Sequence, residues 1–236
     1  MMPFQELLKR PLIIYLTHFG TFFKIILVSL VFNVAMSIIP APQNLALTLK
    51  LTIPLTLISI LLTSFSELAL VRTFFGCTQN ETPSTGRALT AALKKLPGFI
   101  PILVVWFLAV TVGIILLIVP GIIFATWFLF LSSVYMIEET SVLETFRRSK
   151  NLVSPHFVSI FWRAALTSAL FFTILWTANQ GIQFILELLK VEAQYPTLSH
   201  TIANGAGAAL GPLLLPVYIG VMVTMYLEVR NTSKPL

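Results

Sequence analysis

From Phe99 to Ile137 the chain runs for 39 residues without one charged side chain. A water-facing element does not carry such a run, whereas a membrane helix needs about 20 apolar residues to cross ~30 Å of hydrocarbon. At about twice that length the run must turn back, and Val119-Pro120-Gly121 in its middle is the turn signal. The expected product is a tight hairpin of spans 99–118 and 120–137, turning at Pro120 and Gly121. Each half is barely long enough to cross, so a re-entrant pair dipping in from the cytoplasmic side is the alternative.

The rest of the chain fits the same solvent. Only 10% of its residues are charged while 57% are hydrophobic, against roughly 25% charged in a soluble domain. Further spans are expected at 19–39, stopped by Pro40-Ala41-Pro42, and at 51–75, with Pro54 near its start. Two more are expected at 157–178 and 204–226. Asn179, Gln180 and Gln183 mark the exit of the former, with an interfacial helix from Phe184 to Val191, and Pro212 and Pro216 are expected to bend the latter. No apolar residues alternate with period two as an outer-membrane barrel requires. The fold class expected is therefore an all-α, polytopic six-span bundle forming a single transmembrane domain over 1–236.

Eleven Lys and Arg residues (Lys9, Arg10, Arg72, Arg87, Lys94, Lys95, Arg147, Arg148, Lys150, Arg230, Lys234) fall in loops on one face, against Lys50 and Lys190 on the other. By the positive-inside rule that face is the cytoplasm, and both termini lie there. The net charge of +6 is read as topology and contact with anionic lipid headgroups, since no basic patch outside the apolar segments is studded with aromatics. Membrane lipids are the expected partners, and nucleic acid is not. The lone Cys77 supports neither an internal disulfide nor a thiolate cluster.

The cytoplasmic segments at 3–10, 84–96 and 139–153 read as short amphipathic helices preceding odd-numbered spans, which suggests a repeated unit. In the third, Ser141 and Glu144 have capping-box spacing, Glu144 and Arg148 stand four apart, and Val142, Leu143, Phe146 and Val153 share a face beside Arg147. In the second, Ala88, Leu89, Ala92, Leu93 and Leu96 form the apolar stripe. Arg10, His18, Phe19 and Phe23 recur at the spacing of Arg148, His156, Phe157 and Phe161, which favours duplication of the first and third units.

The stretch Val112 to Ile123, with its Val-Pro-Gly-Ile turn, followed by Ser132 to Glu139 and Ser141 to Phe157, resembles the YciC-type family of bacterial inner-membrane proteins. It is also similar to the membrane domain of some glycerophosphoryl diester phosphodiesterases. The resemblance is specific over about Val112 to Leu166. It implies a bacterial inner-membrane location and six spans, and it carries no activity.

Residues for catalysis are sparse. The chain has no Asp, and His18, His156 and His200 divide between the two faces. No cofactor or metal site is expected, and the protein is expected not to be an enzyme. Ionisable groups in hydrocarbon are costly and point to function. Lys24, Glu67 and Arg163 qualify, and Glu67 is expected to pair with Lys24 or Arg163, the alternative being that both cations snorkel to the interface. Gly207 and Gly211 have the small-xxx-small spacing of a helix-packing face, within the monomer or toward a second copy or another membrane protein. Asn33, Trp106, Trp127, Trp162 and Trp176 are read as packing and interface anchors. The role expected is non-catalytic, in envelope or lipid homeostasis. The rival is a transporter or permease subunit in which the Ser141 to Val153 helix couples to an ATPase and the proline-broken sixth span lines a path.

Overall fold

In a computed structural model, which describes residues 2–38, 44–190 and 195–232, the chain is an all-α bundle with no strand among the described residues. Its helices are α1 (Phe4–Thr17), α2 (Phe19–Ile38), α3 (Leu45–Thr78), α4 (Thr85–Leu116), α5 (Ile118–Trp127), α6 (Leu131–Ile137), α7 (Val142–Val153), α8 (Phe157–Leu188) and α9 (Pro196–Thr232). A single 3-10 turn, Ser154–His156, joins α7 to α8. Among the described residues six stretches are long and apolar enough to cross a membrane: Phe19–Ile38, Leu47–Thr78, Thr85–Ile115, Ile118–Ile137, Val142–Leu188 and Thr197–Thr232. Large apolar side chains along them point outward, among them Val31, Ile53, Phe107, Phe172 and Trp176, as a surface facing lipid requires.

Several boundaries differ from those the sequence suggests. The helix that contains Pro54 begins at Leu45, so the proline is interior to it. The Arg87 to Leu96 segment is the opening of α4, continuous with the span through Pro97 and Pro101. Likewise α8 runs unbroken past Asn179 to Leu188, and α9 extends beyond the expected 204–226 at both ends, from Pro196 to Thr232, with Pro212 and Pro216 inside it. Neighbouring helices can cover the carbonyls that a proline leaves unpaired, so apolar length outweighs local breakers here. The Pro40-Ala41-Pro42 stop, Val191, Glu192 and Lys234 lie outside the described residues.

α9 is the hub, in contact with α1, α2, α3, α6, α7 and α8. Its buried residues Val217, Ile219, Val221, Met222, Val223, Met225, Tyr226 and Val229 cluster toward its C-terminal end. At Gly220 three helices converge, because an added Cβ would lie 2.7 Å from the Pro11 Cβ of α1 and equally close to the Phe74 ring of α3.

The predicted duplication has a structural counterpart. His18 ends α1 with φ −115° and ψ 29°, and His156 precedes α8 with φ −123° and ψ 24°. Beyond each histidine a phenylalanine pair stacks, Phe19 on Phe23 at 5.6 Å and Phe157 on Phe161 at 6.3 Å. α4 has no such bend, so the unit is shared by two segments and not by three.

The hairpin turns at Leu117, three residues before the expected Pro120 and four before Gly121. Leu117 is extended (φ −162°, ψ 138°) and its N–H still closes α4 onto the Gly113 carbonyl at 3.1 Å. Pro120 falls in the first turn of α5, where a missing amide donor costs nothing. Gly121 is there for contact: a Cβ on Gly113 would lie 2.8 Å from the Gly121 Cα. Gly113→Ala is therefore expected to lower stability by about 1–3 kcal/mol, the usual cost of overpacking. Gly86→Ala, whose Cβ meets nothing within 4 Å, is expected to melt in lipid discs at or above the wild-type temperature. Equal melting of both variants would contradict the close approach of α4 and α5.

Candidate functional site

The second arm of the hairpin is not one helix. α5 ends at Trp127, residues 128–130 form a turn, and α6 begins at Leu131. In an apolar environment each freed carbonyl needs a donor. The Ser149 hydroxyl of α7 donates to the Trp127 carbonyl at 2.7 Å, and the Val134 N–H donates to the Phe130 carbonyl at 2.8 Å. Lys150 lies over the Trp127 ring at 4.5 Å, and the Phe128 ring meets Phe146 edge-on at 5.0 Å. α7 thus splints the break from outside.

Inside the break is a cavity of about 250 Å³ lined by residues of α3, α4, the α5–α6 break and α9. Its walls are apolar and aromatic, with Phe99, Trp106, Phe128 and Tyr218 among them. The polar groups on its lining residues are the Glu67 carboxyl, the Ser132, Ser133 and Tyr218 hydroxyls and the Trp106 indole N–H; the Ser132 side chain hydrogen-bonds Glu67, and the Tyr218 hydroxyl meets that of Ser168 at 3.3 Å. Trp106, Phe128, Leu129 and Tyr218 are only half-buried, so the cavity is not sealed. The arrangement can hold a positive or hydrogen-bond-donating group against one carboxyl. It offers no second carboxyl, imidazole or amine to exchange a proton with it.

Of the three predicted intramembrane charges, none pairs with another. Arg163 on α8 donates to Glu228 of α9 at 2.9 Å and to the Met2 carbonyl at 2.7 Å. The Met2 N–H returns to Glu228, and both side chains of the pair are largely buried, at 17% and 9% exposed. Glu228 of α9 supplies the counter-charge that Glu67 was expected to give, and the Met2 carbonyl accepts a further hydrogen bond. Lys24 is exposed on α2, opposite buried Phe22, Ile25 and Ile26. Among the described residues no cation pairs with Glu67.

A second ionic cluster was not foreseen. Glu138, at the end of α6, receives Arg148 at 2.8 Å, the Tyr226 hydroxyl at 2.7 Å and Arg230 at 3.7 Å. Its neighbour Glu139 pairs with Lys95 at 3.4 Å, and it takes the left-handed conformation at φ 55° that turns the chain toward α7. Two contacts expected on α7 are not formed. Arg148 is drawn to Glu138 and not to Glu144, and Ser141 makes no side-chain cap, the Thr140 and Thr145 hydroxyls meeting at 2.8 Å instead. The buried face is Thr145, Ser149, Leu152 and Val153, while Leu143 points outward at 74% exposure and Arg147 is exposed.

The small-residue face divides as well. A Cβ on Gly207 would lie 2.9 Å from the Asn179 Oδ1 of α8, so this glycine serves packing inside the monomer, whereas Gly211 has nothing within 4 Å. Asn33 is more than an anchor. It accepts the Ser59 hydroxyl at 3.1 Å and, with Ser66 on Ser29 at 3.2 Å, stitches α2 to α3.

Trp106, Ser132, Ser133 and Tyr218 were not predicted at a site. The signal available was the pair of serines interrupting the 39-residue run. No family model, no curated protein and no solved structure matches the chain.

Breaking the buried pair by Arg163→Ala is expected to cost about 3–5 kcal/mol and to lower the melting temperature in lipid discs. Glu67→Gln, which severs no ion pair, is expected to leave it within a degree or two of wild type, at the ~0.5 kcal/mol scale of a neutral change. The reverse ranking would place the stabilising charge at Glu67.

Proposed function

We propose that the chain is a non-catalytic integral protein of a bacterial cytoplasmic membrane, with both termini in the cytoplasm, that receives an amphiphile in the cavity beside the α5–α6 break. Its role is then in envelope or lipid homeostasis. The observation that carries this reading is the composition of the cavity: one carboxyl and the Ser132, Ser133 and Tyr218 hydroxyls in an otherwise apolar, aromatic lining. Binding sites have this character, a few placed polar groups in an apolar cleft. An unpaired acid within a membrane segment is a functional pointer by its cost alone.

Orientation and location rest on the eleven-to-two distribution of Lys and Arg in the loops. Membership of the YciC-type family is part of the same proposal and rests on the Val112 to Ile123 and Ser132 to Phe157 motifs. Contact with anionic headgroups falls to the exposed basic residues, Arg147 and Lys150 among them.

One observation favours a second reading, a permease subunit. Leu143 is exposed on α7 beside exposed Glu144 and Arg147, a surface that an ATPase partner could take. α9, the helix expected to line a path because of its prolines, is unbroken, which weakens that reading.

Extraction of the tagged protein in native-lipid discs, followed by mass spectrometry, separates the two. The expected result is enrichment of one amphiphile class over the bulk membrane, reduced severalfold in Ala125→Leu, which adds volume at the cavity wall. Co-purification of a stoichiometric ATPase without amphiphile enrichment would overturn the proposal in favour of the permease.

A further inference from the structure

We infer that the cavity selects a lipophilic cation: an amphiphile with a single ammonium group and no anionic group. The inference deepens the amphiphile-binding reading and rests on it.

The chemistry at the head of the cavity decides the charge of the ligand. Glu67 presents a carboxyl whose hydrogen-bonding partner is the Ser132 side chain, and no Lys or Arg lines the space. The cations that an acid in the membrane would otherwise draw on are engaged or distant. Arg163 is held by Glu228 and the Met2 carbonyl, Arg148 and Arg230 by Glu138, and Lys24 is exposed on α2. A ligand ammonium would supply the missing counter-charge and form a charge-assisted hydrogen bond in a low-dielectric site.

The walls point the same way. Phe99, Trp106, Phe128 and Tyr218 line the same cavity as the carboxyl, and aromatic faces around a cation are the usual means of recognising ammonium groups. A phosphate or sulfate head would meet a carboxyl and aromatic faces with no cationic side chain to receive it. A zwitterionic aminophospholipid carries a phosphate beside its amine and meets the same obstacle.

Size and access fix the body of the ligand. A cavity of about 250 Å³ lies just below the ~300 Å³ at which pockets for whole drug-sized ligands begin. It holds the ammonium and the adjoining carbons. The half-buried Trp106, Phe128 and Leu129 at its wall leave the tail a way out into hydrocarbon.

The test uses Trp106 as reporter. With Trp127, Trp162 and Trp176 replaced by Phe, the full-length protein in lipid discs is titrated with three alkyl chains of equal length, each brominated near the head and ending in ammonium, alcohol or sulfate. Saturable quenching of Trp106 by the ammonium at about tenfold lower concentration than the alcohol is expected, a ratio on the scale of one charge-assisted hydrogen bond. The sulfate is expected not to compete. Glu67→Gln should bring ammonium and alcohol to within about threefold of each other, with alcohol quenching retained as proof that the cavity is intact. Equal binding of ammonium and alcohol in the wild type, an unchanged ratio in Glu67→Gln, or sulfate binding as tight as ammonium would overturn the cation selectivity and leave the amphiphile site standing. Absence of saturable quenching by all three would overturn the amphiphile reading itself.

Discussion

Hydrocarbon offers a backbone no hydrogen bonds, so any interruption of a membrane helix must find its donors and acceptors within the protein. The interruption at residues 128–130 meets that demand from two sides. Ser149 of α7 reaches the Trp127 carbonyl, and the amides of Phe128, Leu129 and Leu131 donate to the carbonyls of Phe124, Thr126 and Phe128. Because the break is paired in this way it persists. Because it persists, α5 and α6 do not pack as one rod against α3 and α9, and the cavity containing Glu67 lies in the space between them.

The ionic contacts at the neighbouring end of the bundle hold the pieces in register. Glu138 joins the end of α6 to α7 through Arg148 and to α9 through Tyr226 and Arg230. Arg163 and Glu228 join α8 to α9 and fasten the start of the chain through Met2. A buried pair of this kind contributes little beyond a well-packed apolar substitute, but losing one partner strands the other. Its value here is specificity of arrangement: α9 meets both clusters, and α9 also contributes more buried residues to the core at this end than any other helix. The two bent units, α1 with α2 and α7 with α8, enter the bundle through the same backbone turn at His18 and His156.

Apolar length made the six stretches legible in the sequence, because hydrocarbon thickness imposes it directly. Local breakers were less informative. Pro54, Pro212 and Pro216 lie within continuous helices, and Val119-Pro120-Gly121 marks a close helix contact and a helix start more than a turn. The charges show the same division. Glu67 was recognisable as costly in hydrocarbon, but its partner depends on which helices adjoin, and one sequence does not state that. Arg163 finds Glu228, 65 residues away, and Glu67 finds Ser132. On α7 the expected Glu144 to Arg148 pair gives way to Glu138, since a partner on another helix competes with the one four residues back.

The most direct test of the account is an experimental map of the protein in lipid discs, at a resolution that shows side chains around Trp127. The account predicts a helix that stops at Trp127 and resumes at Leu131, the Ser149 hydroxyl on the Trp127 carbonyl, and an open space bounded by Glu67, Trp106 and Tyr218. A continuous helix from Ile118 to Ile137, with Glu67 sealed against it or paired to Lys24 or Arg163, would contradict the account.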